Sequence, residues 1–222
     1  MNYLSKNISH LERSRGQEVS SLLNKLGCND INSLPINKLA IFCNELGVQL
    51  ENFVLFPMDI DRKKLDRIKF LILDIDGVMT DAGMYFTENG DQFKKYNAKD
   101  GMAIMALTRK DFQVGIISSG FKLEMVKSRA ELLNIQHLYV GRDSKIEILQ
   151  KWCEKLNITF EEVAIIGDDI NDLSIMQKVG LAVCPSDAVT KVKQQAHLVL
   201  QTPGGKGCVR EFIDNYLLTD PV

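Results

Sequence analysis

The sequence predicts an α/β fold built on a parallel sheet, and three observations carry that prediction. Short continuous apolar runs, of the kind buried on both faces of a parallel sheet, recur from Ile68 onward. Helical patterns such as Leu123 to Leu133 and Ile146 to Leu156 stand between them, and that alternation reads as βαβ units. Two of the runs end in acidic clusters, where an open α/β sheet carries its chemistry. The expected architecture is therefore a Rossmann-like parallel sheet with a protruding β-hairpin and a small N-terminal helical segment.

Taken in order, the first elements are helical. Val19, Leu22, Leu23 and Leu26 stand at i, i+3, i+4, i+7 before Gly27, and Leu39, Phe42, Cys43 and Leu46 repeat the spacing before Gly47, which predicts two short amphipathic helices. The polar segment from Met58 to Lys64, after Pro57, reads as a linker, so residues 1–65 form one part and residues 66–222 the other. The first strand is IKFLILD. Directly after it, MYFTENGDQF carries Asn89-Gly90 between two strand-like halves, the signal for a hairpin with a two-residue type I′ turn. Further strands are VGIISS (114–119), HLYVG (137–141), VAIIGD (163–168), LAVC (181–184) and the weaker HLVL (197–200).

Composition narrows the function classes. A chain of 222 residues with 45% hydrophobic and 25% charged content is an ordinary globular protein, with length enough for a real core. Lys and Arg number 27 against 29 Asp and Glu, and a net charge of -2 gives no general attraction to polyanions, so nucleic acid is not expected as a partner. Five cysteines without CxxC or zinc-like spacing read as reduced, mostly buried thiols. The N-terminus lacks an apolar signal region, and no stretch reaches the roughly 18 apolar residues of a membrane span. The expected location is the cytoplasm, without a membrane partner.

The chemistry is concentrated in two blocks. Asp74-Ile-Asp76-Gly-Val-Met-Thr80-Asp81 follows the first strand, and Gly167-Asp168-Asp169-Ile-Asn171-Asp172 ends a later one. Single acids at such places are mostly turn formers and helix caps. Two clusters delivered to one rim repel each other unless a cation intervenes, and an all-oxygen site of this kind suits Mg²⁺ bound together with substrate phosphate oxygens.

These blocks resemble the first and fourth motifs of the haloacid dehalogenase superfamily of phosphohydrolases. The intervening two motifs are matched by Ser119, with Ser118 the alternative register, and by Lys145 in GRDSK. A narrower resemblance, over about residues 66–218, is to the capless phosphatases of 3-deoxy-D-manno-octulosonate 8-phosphate and related nine-carbon ulosonate 9-phosphates. It rests on the first block, on Asn97-Ala-Lys-Asp-Gly101, on Arg129 and on Gly204-Gly-Lys-Gly-Cys-Val-Arg-Glu211. Where that subgroup shows Arg-Asp-Gly and Thr-Gly-Arg, this chain has Lys99-Asp100-Gly101 and Ser119-Gly120-Phe121. Lys cannot reproduce the bidentate grip of Arg on a carboxylate.

The resemblance implies Asp74 as the nucleophile that becomes an aspartyl-phosphate, and Asp76 as the acid and base that serves leaving group and water. It implies a Mg²⁺ site from Asp74, Asp76 and Asp168, with Asp76 facing the ion through its backbone carbonyl and Asp172 orienting waters or Lys145. Ser119, Lys145 and the backbone near Gly120 would bind the phosphoryl group. Lys99, Lys122, Lys206 and Arg210 are the candidate contacts to a phosphorylated sugar acid. No insertion is long enough for a cap domain, and in the resembling family the hairpins of four subunits pack together, which implies a homotetramer.

A rival reading comes from Ile36 to Val54, which faintly resembles the end of a repressor-type helix-turn-helix domain. It would make the chain a DNA- or protein-binding regulator with a phosphatase-like domain. The near-neutral charge of that segment weighs against DNA.

Overall fold

The structure, a computed structural model, describes residues 3–48, 50–55, 62–89, 92–120 and 123–218. The chain divides into two compact units, residues 1–61 and 62–222.

In the first unit the helix expected over Val19 to Leu26 is the second half of a longer one, α1 (Tyr3–Lys25), which bends at Arg15 (φ -138°, ψ 34°). Gly16 follows the bend, where helix propensity is low, and the Arg15 guanidinium donates to the Leu46 carbonyl at 3.2 Å. The second expected helix is α2 (Ile36–Glu45), followed by α3 (Leu50–Leu55). Val19, Leu22, Leu23, Leu39, Phe42, Cys43 and Leu46 are buried with Phe53 in one apolar cluster, as their spacing requires. Part of the segment read as linker, residues 58–61, lies outside the described residues. Its remainder belongs to the helical turn α4 (Arg62–Leu65).

The second unit carries a six-stranded parallel sheet in the order β5-β4-β1-β6-β7-β8. The strands are β1 (Phe70–Leu73), β4 (Gln113–Ser118), β5 (His137–Val140), β6 (Val163–Ile166), β7 (Leu181–Cys184) and β8 (Leu198–Val199). β1 has 0% exposure at all four positions, because it pairs with β4 on one side and β6 on the other and is covered on both faces. The flanking helices are α5 (Ala98–Thr108), α6 (Leu123–Leu132), α7 (Lys145–Leu156), α8 (Leu173–Met176), α9 (Thr190–Gln195) and α10 (Cys208–Phe212). From β1 the chain builds outward through β4 to β5, then returns to the other side for β6, β7 and β8. The order therefore reverses between β1 and β6, and the carboxyl ends of these two strands open a crevice.

The hairpin is β2 (Tyr85–Phe86) against antiparallel β3 (Gln92–Phe93). Phe86 opposes Gln92, so an odd number of residues, 87–91, lies between them, and the two-residue turn centred on Asn89-Gly90 does not fit this register. Gly90 itself lies outside the described residues. Tyr85 and Phe93 stack at 4.8 Å on one face, which leaves Gln92 and Lys94 on the other.

All five cysteines are free thiols, four of them buried. His197 accepts the Ala182 N–H at 2.9 Å, and His137 meets Gln113 at 3.2 Å and packs edge-on to Phe70. No described helix is long and apolar enough to cross a membrane.

Candidate active site

Asp74 leaves β1 at the crevice, its N–H still donating to the Ile166 carbonyl of β6 at 3.1 Å. The backbone then folds through a wide turn, Ile75–Met79, in which Gly77 takes φ +89°. A Cβ at Gly77 would stand 1.9 Å from the Asp168 carboxylate, so the close approach of the two strand-end loops requires glycine there. Thr80 ends the turn: its N–H donates to the Ile75 carbonyl at 3.0 Å and its hydroxyl lies 3.2 Å from the same oxygen. The spacing of the first acidic block is thus the spacing of a closed turn that holds two acids side by side.

The second block is organised around Asp172. One carboxylate oxygen accepts the N–H groups of Asp168 and Asp169 at 3.0 and 3.4 Å, and the other accepts from Lys145 Nζ at 2.7 Å. Lys145, at the start of α7, also donates to Asp74 Oδ1 at 3.0 Å. This ammonium bridges the two acidic blocks while only 5% exposed, and a buried cation is tolerable only because two carboxylates face it.

The family model of haloacid dehalogenase-like hydrolases matches residues 121–212. The chain is 41% identical over 155 residues to the 3-deoxy-D-manno-octulosonate 8-phosphate phosphatase KdsC of Escherichia coli K12, covering 70% of this chain and 82% of that protein. The chain belongs to the haloacid dehalogenase-like hydrolases. Within them it is a phosphatase of the KdsC kind, a phosphomonoester hydrolase. The crystal structure of the Yersinia pestis 3-deoxy-D-manno-octulosonate 8-phosphate phosphatase superposes with a TM-score of 0.69 at 36% identity, over 72% of this chain and 85% of that one. The Moraxella catarrhalis phosphatase, solved with magnesium, phosphate and a KDO molecule, gives a TM-score of 0.67 at 28% identity over 70% and 89%.

The electrostatics of this haloacid dehalogenase-like site are those of a carboxylate cluster short of cations. Asp74, Asp168 and Asp172 bring ligand oxygens within 4.8 Å of one another. Burial, then repulsion from Asp172, pushes the Asp74 carboxyl well above the usual range, against the pull of Lys145. Burial and the neighbouring Asp74 and Asp172 push Asp168 up to about 8. Burial alone would lower the Lys145 ammonium, but Asp74 and Asp172 outweigh it and hold it above its ordinary value. Asp168 Oδ1 is buried with no hydrogen-bond partner among the described residues. Hard oxygen donors, excess negative charge and an orphaned buried carboxylate oxygen fit a divalent cation.

The acids expected to bind or surround a metal do not act alike. Both Asp172 oxygens are engaged by donors, which makes it a brace for the loop and for Lys145. The Asp76 side chain, expected to face a metal only through its backbone carbonyl, turns to the hairpin, where Lys94 donates to it and the Thr80 hydroxyl lies 3.5 Å away. Side-chain oxygens of Asp74 and Asp168 remain for a cation.

Ser118 and Ser119 both line the crevice, a cavity of about 310 Å³. Ser118 is buried and its Oγ accepts the Gly120 N–H at 3.2 Å, whereas Ser119 is exposed and accepts from Asn171 Nδ2 at 3.3 Å. Of the expected substrate contacts, Gly120 lines the cavity, while Lys99, Lys206 and Arg210 do not, and Lys122 lies outside the described residues. Lys99 and Lys206 are exposed beyond the lining, and Arg210 pairs with Asp214 four residues along its own helical segment. Among the described lining residues Lys94 is the one cation, and the sequence reading missed it. Period-2 alternation with Gln92, which also lines the cavity, was the signal for it. Ala82, Met84, Val126 and Val140 are the apolar residues of the cavity lining.

Proposed function

We propose that this phosphatase hydrolyses 3-deoxy-D-manno-octulosonate 8-phosphate or a related nonulosonate 9-phosphate, with Mg²⁺ bound at Asp74 and Asp168. The observation that carries this reading is the Lys145 ammonium held between Asp74 and Asp172 beside the orphaned Asp168 oxygen. The named substrate of the KdsC relatives supports the sugar acid, and the magnesium of the Moraxella complex supports the ion.

Asp74 Oδ2, the oxygen not bonded to Lys145, attacks phosphorus and forms an aspartyl-phosphate as the P–O bond to the sugar breaks. Asp76, protonated at that moment, gives its proton to the departing sugar oxygen. Water then attacks the phosphoryl group, Asp76 takes its proton, and inorganic phosphate leaves with Asp74 regenerated. Lys145 and the Ser119 hydroxyl compensate charge on the equatorial oxygens, joined by the Gly120 N–H if it turns from Ser118 Oγ to the substrate, so that most of the catalysis is positioning and electrostatics. A bound divalent cation supplies the remaining positive charge for substrate phosphate and carboxylates to meet in one crevice. Lys94 holds the Asp76 carboxylate at the cavity edge.

The cavity of one chain contains few groups to bind a sugar acid. A homotetramer in which hairpins pack together would bring the exposed Lys206 of a neighbouring copy to the open mouth. The exposed apolar residues of the hairpin, Met84, Phe86 and Phe93 at 75%, 57% and 55%, support such packing. The deciding experiment compares kcat/KM for 3-deoxy-D-manno-octulosonate 8-phosphate, a nonulosonate 9-phosphate and glucose 6-phosphate in Mg²⁺. Preference for the acids by two orders of magnitude or so is expected, because cations that pair a substrate carboxylate are left unpaired by a neutral analogue. Equal values for all three would refute the sugar-acid assignment.

A further inference from the structure

Behind the turn that carries Asp74 and Asp76 lies a second layer of backbone, residues 203–210. Gly204 approaches so closely that a Cβ there would stand 1.9 Å from the Gly77 carbonyl oxygen, and a Cβ at Gly205, whose φ is +64°, would stand 2.4 Å from the Asp81 nitrogen. The Gly205 N–H donates to the Val78 carbonyl at 2.9 Å, and the Cys208 thiol donates to the same oxygen at 3.3 Å.

The opposite side of this layer is gripped by α5. Asn97, which caps α5 by accepting the Lys99 N–H at 2.8 Å, donates its amide to the Gly205 carbonyl at 3.3 Å. One turn on, Asp100 accepts the Arg210 N–H at 2.7 Å, and the neighbouring Val209 N–H also favours its ionised form. Asp100 is 2% exposed, and its second oxygen has no hydrogen-bond partner among the described residues. The cations that face it are Arg129 of α6 and Arg210 of α10. Arg129 is itself anchored, 5.2 Å above the Tyr96 ring and 3.4 Å from the Asn97 carbonyl, and its Nε is buried without a hydrogen-bond partner among the described residues. Although Arg129 and Arg210 face this carboxylate, one of its oxygens is left without a donor among the described residues, so its burial is incompletely compensated. Its placement gains a purpose if what it holds must be held in one position.

We propose that Asp100 is a positioning residue for phosphoryl transfer, clamping the 204–210 segment against the 74–80 turn so that Asp74 and Asp76 keep their attack geometry. The inference rests on the roles given above to those two acids. The path is continuous: Asp100 to the Arg210 N–H, through the glycine pair to Gly77 and Val78, and so to the acids on either side of Ile75. Misplacing a reacting group by about 1 Å costs on the order of a hundredfold in rate. A clamp of this kind therefore acts on kcat and leaves substrate binding nearly alone.

The test measures kcat and KM of the full chain with p-nitrophenyl phosphate in Mg²⁺ for wild type, Asp100→Ala, Asp100→Asn, Gly204→Ala and Asp74→Asn. Asp100→Ala should lose about a hundredfold in kcat with KM within about threefold. Asp100→Asn retains an oxygen that accepts the Arg210 N–H and should recover to within about tenfold of wild type. Gly204→Ala, whose new methyl pushes the segment off Gly77, should reproduce the kcat loss and keeps the test open if Asp100→Ala does not fold. Wild-type kcat in either alanine variant, or an Asp100→Asn variant as slow as Asp100→Ala, would overturn the clamp. Asp74→Asn separates the two readings: turnover in that variant would refute the nucleophile itself, whereas its inactivity together with an unaffected Asp100→Ala refutes the clamp alone.

Discussion

Lys94, just past the second strand of the hairpin, donates to the Asp76 carboxylate, the second acid of the turn after β1. A hairpin that looks like decoration on the sheet is thereby tied to the acid proposed to carry the proton. Lys94→Met keeps the aliphatic stem and removes the donor. It should lower kcat by up to about a hundredfold, the low end of the roughly 10²–10⁴-fold that acid–base catalysis contributes, because Asp76 itself remains. Steady-state kinetics of Lys94→Met and Lys94→Arg check this, with the arginine variant expected between methionine and wild type.

Asp74→Asn conserves volume and leaves Lys145 paired with Asp172. The fold should survive and turnover should fall by at least about a thousandfold, because an amide is not a nucleophile here. A thermal melt within a few degrees of wild type, measured beside a dead assay, is the expected pair of results.

Chelation should abolish activity and Mg²⁺ should restore it, since Asp74 and Asp168 crowd charge that their neighbours do not neutralise. Adding Mg²⁺ to the chelated protein should also raise its melting temperature, as any ligand that binds only the native state does. Activity that persists in excess EDTA would contradict the metal assignment.

Burial pushes the Asp100 carboxyl from 3.8 up to about 6, against the Arg210 and Val209 N–H groups and the charges of Arg129 and Arg210. Between those two pH values the native state holds the proton and the unfolded chain does not, so wild-type stability falls as pH rises through about 4 to 6 and then levels. Asp100→Asn lacks this titration. Relative to wild type it should gain up to about 3 kcal/mol between pH 3.5 and pH 7, read from urea melts at both. A difference independent of pH would mean that Asp100 is not held in its neutral form by the fold.

Residues 62–222 contain every element of the crevice and their own core around Phe70, Ile72, Ile165 and Leu149. Deleting residues 1–61 should leave a soluble protein with kcat/KM within about threefold of the full chain. Insolubility would show that the helical unit is required for folding of the rest.

The sequence by itself determined the parallel sheet and the positions of the acids. Both are local: a strand covered on both faces must be apolar throughout, as Phe70 to Leu73 are, and an acid that follows such a strand emerges at its carboxyl end. Glycine at position 77 was legible as part of the block, though not its reason, the Asp168 carboxylate arriving from a strand more than eighty residues away. What only the tertiary structure decided is which charges meet. Lys94 reaches Asp76 while Lys99 and Lys206 miss the cavity; Asp172 braces Lys145 with both oxygens already engaged; and Asp100 grips a segment 110 residues further along the chain. Spacing reports the face of an element on which a side chain stands. Its partner depends on how elements distant in sequence are packed, and because a buried charge is stable only beside a matching one, that packing selects the pairs.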